Sequence, residues 1–358
     1  MSNRLRVALI GAGFMGDVHT RAIQRAGGIL KVVATSTPAK SVEAAARYLA
    51  ERGATPDEAA TADDVDVVHI CTPNSAHQAI AEFALRAGKH VVCEKPLATD
   101  VASAQSMTAL ASETSLVASV PFVYRFYPTV REARGRIASG QLGSLHVLHG
   151  SYLQDWLSRP SDDNWRVDPA VGGPSRAFAD IGVHWCDMAE FVSGHRITRL
   201  TARMKTAYDT RIKNGKANED VASIMFETDH GALGSAVISQ VSPGRKNRLW
   251  FSLDGADGAV SFDQELPDTL WVGGRDVNQV VNRGGETNTF GARYNRTPVG
   301  HSQGYQDCFD LFVNDTYAAI NGDDVDGLPT FADGLRAAHL TDAVIASATS
   351  QTWVDVPA

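Results

Sequence analysis

Lys95 stands between Glu94 and Pro96, directly after the short apolar run His90-Val-Val-Cys93. A lysine at the carboxyl edge of a strand can hold a substrate hydroxyl and share its proton when burial or a neighbouring positive charge lowers its pKa. Pro96 restricts Lys95 to extended backbone geometry. Taken alone, an exposed strand-end lysine is the plainer reading. Asp180 and His184 are spaced i, i+4, so one helical face carries both. A neutral imidazole takes a hydroxyl proton near pH 7, while a carboxylate orients a neighbouring hydroxyl or stabilises the imidazolium. These types suit removal of a proton from a carbinol oxygen while hydride leaves its carbon. The spacing leaves open whether Lys95 or His184 holds that proton. Asp187, one turn further on, fits capping or pairing rather than reaction.

Hydride needs an acceptor, and Gly11-Ala-Gly13-Phe14-Met15-Gly16 has the GxGxxG form after an apolar run, Arg6–Ile10, and before a helical pattern. There the first glycine makes the turn and the second admits a pyrophosphate. The third lets the helix pack on the sheet, with its N-terminus facing the anion. NAD sites usually carry an acid about 20 residues further on. This chain has Thr35-Ser36-Thr37-Pro38-Ala39-Lys40 and no acid. Ser36, Thr37 and Lys40 could hold a 2′-phosphate, so NADP is expected to be tolerated or preferred; Lys40 as a solvated surface residue is equally open. Thr72, Pro73 and Asn74 follow the third apolar run and line the same edge, with His77 one turn into the next helix. Glu94 and Lys95 end the fourth run there.

These residues need a scaffold, and the first third of the chain supplies one. Five short apolar runs alternate with helical stretches, which predicts a parallel doubly wound sheet of the Rossmann type. The helix opening at Thr37-Pro38 is expected to run towards Gly53. After Phe122, strands recur with few helices between them, at Leu145–Tyr152 and then from Ile197 to Val272. That predicts an α+β domain with a large, mostly antiparallel open sheet. The fold class is therefore α/β, with a dinucleotide-binding domain over 1–122 and a substrate and oligomerisation domain over 123–358. At 358 residues the chain is long enough for both cores. Its net charge of −8 counts against nucleic acid as a partner. No run reaches the ~20 apolar residues that span a bilayer, so no membrane partner is expected. Four separated cysteines form no CxxC pair, no metal-ligand spacing occurs, and a reducing cytoplasmic location is expected.

Gly11–Gly16, Thr72-Pro73-Asn74, Glu94-Lys95-Pro96 and Asp180-Ile-Gly-Val-His184, in this order, resemble the Gfo/Idh/MocA oxidoreductase family. The likeness extends to the closing Pro329-Thr-Phe-Ala-Asp-Gly-Leu335 segment. It implies an NAD(P)-dependent dehydrogenase whose Lys95, Asp180 and His184 act on a sugar or polyol carbinol. His184 would be the general acid/base, with Lys95 assisting and Asp180 positioning. Trp165-Arg166 is placed like the family pair that closes over the nicotinamide. The chain departs from the family at Val123, where members often carry Asn.

Substrate contacts are expected from Tyr124, Gln154, Asp155 and Trp156, with His301 and Tyr305 as further candidates. Aromatic faces suit the C–H side of a sugar ring, and amides and carboxylates suit its hydroxyls. The Tyr152–Trp156 stretch is most similar to the levoglucosan dehydrogenase and glycoside 3-dehydrogenase branch, which implies oxidation at C3 of an anhydro-sugar or glycoside. The resemblance also implies a homodimer or homotetramer. Two rival readings stay open: an NAD-dependent glycoside hydrolase using transient C3 oxidation and elimination, and a non-catalytic sugar sensor. Retention of Lys95, Asp180 and His184 together counts against the sensor.

Overall fold

The computed structural model describes residues 4–211, 217–286 and 288–357. In chain order the first elements are β1 (Arg6–Ile10), α1 (Phe14–Arg25), β2 (Ile29–Ala34), α2 (Pro38–Tyr48), β3 (Arg52–Ala54) and α3 (Pro56–Thr61). Next come β4 (Val67–Ile70), α4 (His77–Arg86), β5 (His90–Cys93), α5 (Val101–Ser112) and β6 (Ala118–Ser119). Beyond them lie α6 (Pro128–Ala138), β7 (Leu145–Leu153), α7 (Pro169–Gly172), α8 (Val183–Ser193) and β8 (Ile197–Lys205). A run of strands follows: β9 (Val221–Thr228), β10 (Leu233–Ser239), β11 (Arg248–Gly255), β12 (Ala259–Asp263), β13 (Thr269–Gly273) and β14 (Gln279–Asn282). The chain closes with α9 (Tyr305–Ile320), α10 (Phe331–Ser350) and β15 (Val354–Asp355).

The first six strands form one sheet in the order β3-β2-β1-β4-β5-β6, with every pairing parallel. This order is that of a dinucleotide-binding doubly wound sheet. Val7 to Ile10 are wholly buried, as befits a strand covered on both faces. Thr37 caps α2 by accepting the Lys40 N–H at 3.3 Å, with Pro38 opening the helix as predicted. The helix stops earlier than expected, at Leu49 in the left-handed region (φ 59°). Two elements absent from the sequence reading follow. The chain turns into β3, whose Gly53 packs against the backbone of Ser41, and then α3 starts on a Thr55–Glu58 capping box.

The second sheet has nine strands in the order β14-β13-β12-β11-β7-β10-β9-β8-β15. Its pairings are antiparallel except for the parallel β7–β10 pair. Along β9, and along β10 as far as Ile238, burial alternates residue by residue, the mark of a sheet with one covered face.

The chain divides into two compact units. One holds Met1–Val123 and Tyr305–Ala338, the other Tyr124–Gly304 and His339–Ala358. The first division falls at Val123. The reading over 123–358 differs further on, because Tyr305–Ala338 returns to the first unit. There α9 lies against α1, with Arg25 bonded to Asp310 at 2.8 Å. Val120 N–H donates to the Pro329 carbonyl at 3.1 Å. Among the described residues no helix is long and apolar enough to cross a membrane.

Candidate active site

The dinucleotide elements belong to the first unit. At the end of β1, Gly11 adopts φ 103° and donates its N–H to the Ala34 carbonyl at 2.8 Å. A Cβ on Gly11 would press into the Cys71 carbonyl, and one on Gly16 would lie 2.5 Å from the Gly11 carbonyl oxygen. The first and third glycines therefore allow close packing. Gly13 differs: it caps α1 without a side-chain bond, and nothing lies within 4 Å of the Cβ it lacks. Phe14 beside it is exposed. Open space over a helix N-terminus fits a pyrophosphate, whose charge the amide dipoles favour. Arg47, a residue the sequence reading missed, reaches from α2 to the Ala12 carbonyl at 2.7 Å. Ser36, Thr37 and Lys40 are exposed around the start of α2.

At the end of β4 the Thr72 hydroxyl oxygen is buried and, among the described residues, has no hydrogen-bond partner. A buried hydroxyl at the carboxyl edge of a parallel sheet fits a polar ligand group there. Pro73 is exposed and Asn74 half-buried on the same turn. His77, grouped with these residues from the sequence, is instead fully buried. Its Nδ1 lies 2.9 Å from the Pro96 carbonyl and its Nε2 3.0 Å from that of Thr72. Its single N–H braces one of these turns, and burial draws its pKa below the ordinary imidazole value.

Glu94 is also buried: Oε1 is 3.0 Å from His19 Nε2, and Oε2 accepts the Lys95 N–H at 3.1 Å. Lys95 is half-buried, and the bond that joins it to Pro96 is cis. Tyr305, expected among the substrate residues of the second domain, belongs to the first unit; its hydroxyl lies 3.9 Å from Met15 Sδ.

The second unit gathers the substrate candidates. Asp180 lies in a π-helical stretch, Phe178–Gly182, that runs into α8 and delivers His184. The sequence predicted an ordinary helix here. A π turn is a local insertion of the kind found at functional sites. Asp180 Oδ2 accepts from Gln240 Nε2 at 2.7 Å, and Oδ1 is 3.9 Å from Arg166 Nε. Gln240 Oε1 accepts from Arg176 Nη1 at 2.8 Å. Arg176 is itself buried, paired with Asp220.

From Gln240 the network continues to Gln154 Oε1 at 3.3 Å, which also accepts from Trp156 Nε1 at 2.8 Å. Gln154 Nε2 and the Tyr152 hydroxyl both donate to Asn247 Oδ1, at 2.6 and 2.7 Å. Tyr152 and Tyr124 share a hydroxyl contact of 2.5 Å, and the Tyr124 ring meets His184 edge to face at 4.8 Å. Tyr124, Gln154, Trp156, Arg166, Asp180 and His184 are thereby brought into one network.

Other candidates lie elsewhere. Asp155 turns to Lys246 Nζ at 2.6 Å, and that bond holds its carboxyl below the ordinary range. Trp165 is partly exposed under the Arg166 guanidinium, 4.3 Å from its ring centre. His301 is exposed, and its carbonyl is held by Arg283 at 2.6 Å. Asp187 pairs with Arg125, as its position suggested. The sequence reading missed Gln240, Arg176 and Asn247. Gln240 and Asn247 flank the apolar runs of β10 and β11, which was the signal at hand, whereas Arg176 lies in a loop with no such mark. Among the described residues no cluster of His, Cys, Asp or Glu is gathered as a metal ion requires.

Comparison with known proteins agrees with this architecture. Residues 5–122 match the oxidoreductase family with an NAD-binding Rossmann fold, and residues 130–261 match the GFO/IDH/MocA C-terminal domain. A levoglucosan dehydrogenase of Pseudarthrobacter phenanthrenivorans is 33% identical over 99% of this chain and 98% of its own. An inositol 2-dehydrogenase of Rhizobium meliloti is 29% identical over 98% of this chain and 99% of its own. Among solved structures, a levoglucosan dehydrogenase complex with NADH and levoglucosan superposes with a TM-score of 0.92 at 32% identity. That match covers 99% of this chain and 100% of the other.

Proposed function

The chain belongs to the GFO/IDH/MocA oxidoreductases and is an NAD(P)-dependent enzyme of the sugar and polyol dehydrogenase type, and on that premise we propose that it oxidises C3 of an anhydro-sugar or glycoside. The observation that supports this reading is the amide-rich network around Asp180, with Tyr124 and Tyr152 beside His184. Directed amides and aromatic faces suit a sugar ring better than a carboxylate-bearing or purely apolar substrate. The similarity to levoglucosan dehydrogenase supports the same class.

Lys95, Asp180 and His184 form the catalytic set in this proposal. Nicotinamide, when bound, supplies the hydride acceptor. Glycines 11, 13 and 16 and the α1 N-terminus hold the pyrophosphate, and Thr72 offers its hydroxyl to the dinucleotide. Asp180, its Oδ2 held by Gln240, accepts a substrate hydroxyl and sets its direction. His184 takes the carbinol proton as general base, and the Lys95 ammonium stabilises the oxygen as negative charge develops. Ser36, Thr37 and Lys40 allow a 2′-phosphate, so NADP is accepted alongside NAD. The molecule works in the cytoplasm as a homodimer or homotetramer.

The test is a panel of levoglucosan, alkyl glucosides, myo-inositol and free hexoses, followed by NADH or NADPH absorbance. The expected result is net NAD(P)H formation with levoglucosan or a glycoside, and loss of about 10²- to 10⁴-fold in Lys95→Ala and His184→Ala. Activity surviving both substitutions would overturn the mechanism. Cleavage of an aryl glycoside without net cofactor reduction would favour the hydrolase chemistry instead. For the cofactor, titration should give an NADPH dissociation constant within about tenfold of that for NADH, and Lys40→Ala should weaken only NADPH.

A further inference from the structure

Beneath Lys95 the first unit contains a continuous line of buried polar side chains that the proposed chemistry does not use. Tyr317 on α9 places its hydroxyl 3.0 Å from His69 Nε2. His69 on β4 and His19 on α1 meet Nδ1 to Nδ1 at 2.8 Å. His19 Nε2 then lies 3.0 Å from Glu94 Oε1, and Glu94 Oε2 holds the Lys95 N–H. Both histidines are wholly buried, and Glu94 and Tyr317 nearly so. The Phe309 ring packs on His19 at 4.7 Å and helps close the line from water.

With both rings neutral, donor and acceptor arithmetic gives this line one direction. An ionised carboxylate only accepts, so His19 must carry its hydrogen on Nε2. A neutral His19 then presents a bare Nδ1, and the 2.8 Å contact requires the hydrogen of His69 on Nδ1. His69 Nε2 is left bare and accepts the Tyr317 hydroxyl. Burial pushes His69 well below the usual imidazole range and Tyr317 well above the usual phenol range, in keeping with a neutral ring and a protonated hydroxyl. With both rings neutral, reversing any link requires reversing them all, including a proton on Glu94. Such a network is cooperative and has one satisfied state.

We infer that His19, His69 and Tyr317 are positioning residues that lock the Glu94 carboxylate, and that Glu94 in turn fixes the main chain of Lys95. The inference rests on the catalytic role proposed for Lys95. Its effect is on rate, because a catalytic group held off its productive geometry loses turnover before binding.

Nitrogen-15 spectra of the histidine-labelled full chain test the direction of the line, with His19→Gln and His69→Gln giving the assignments. The expected result at pH 7 is His19 as the Nε2–H tautomer and His69 as the Nδ1–H tautomer. Either ring in the opposite tautomer, or as an imidazolium, would overturn the assignment. A double-mutant cycle with levoglucosan and NAD+ tests the coupling to Lys95. Gln at 94 can keep only one of the two bonds, so Glu94→Gln should lower kcat about tenfold or more while the NADH dissociation constant moves less than about threefold. In a Lys95→Ala background the same substitution should cost less than about twofold. Equal losses in both backgrounds would overturn the positioning role. Lys95→Ala as active as the native chain would overturn the reading of Lys95 itself. Failure of that kind is told apart by the tautomers, which do not depend on turnover.

Discussion

The direction in which Asp180 faces follows from which atoms around it can donate. Arg176 has only donors, so the Gln240 amide must turn its oxygen towards Arg176 and its NH2 towards Asp180. Hydrogen bonds to a charged partner contribute about 1.5–3 kcal/mol, so Gln240→Ala should lower kcat/KM about tenfold to a hundredfold. Steady-state kinetics on the oxidised sugar check this, and an unchanged kcat/KM would remove Gln240 from the site. Residue type, spacing and the family resemblance singled out Lys95, Asp180, His184 and Gln154 as candidates. Gln240 and Arg176 were not legible in the sequence, because their contact with the site spans 60 or more residues or passes through a second side chain. Asp155 illustrates a further limit. It follows Gln154 just past the end of β7, yet it turns to Lys246 while Gln154 joins the network, a division that residue type does not announce.

Among the elements, α2 is tied to the glycine turn by its last residues. The Tyr48 hydroxyl donates to Asp17 Oδ1 of α1 at 2.6 Å, while Arg47 holds the Ala12 carbonyl. Burial and then the Asp17 bond raise the Tyr48 pKa to about 12. A folded pKa above the unfolded value of about 10 gives stability that is complete below pH 10. That contribution is lost as pH rises through the folded value of about 12. The Tm of the native chain should fall across this window, and Tyr48→Phe should flatten that part of the profile, as calorimetry can measure. Element type was legible wherever hydrophobic periodicity ran for a full helix or strand. The boundary of α2 was not, because Leu49 has no glycine to announce the left-handed turn. The three-residue β3 is too short to show a period. The Thr55-Pro-Asp-Glu58 capping box of α3 was a readable signal that the sequence reading passed over.

Over the whole molecule, the nine-stranded sheet leaves apolar side chains on its open face. Leu233 is registered with Val147, and Met225 with Ser235, and the exposed Val237 lies on the same side. An exposed apolar surface of this kind suits self-association. The proposed oligomer should therefore dissociate when Met225→Glu and Leu233→Lys are combined. Light scattering after gel filtration should then give the mass of one chain, and an unaltered mass would place the interface elsewhere.

The domain order was legible from the change in pattern near Phe122. The return of Tyr305–Ala338 to the first unit was not, because a helix periodicity states which face is buried but never against what. That return has a consequence for biosynthesis. The ribosome must release all of residues 124–304 before α9 emerges to cover α1. Until then the nascent nucleotide-binding unit lacks the Arg25–Asp310 pair and the hydroxyl that faces His69. The nucleotide-binding unit is therefore begun before residues 124–304 are made and completed only after them.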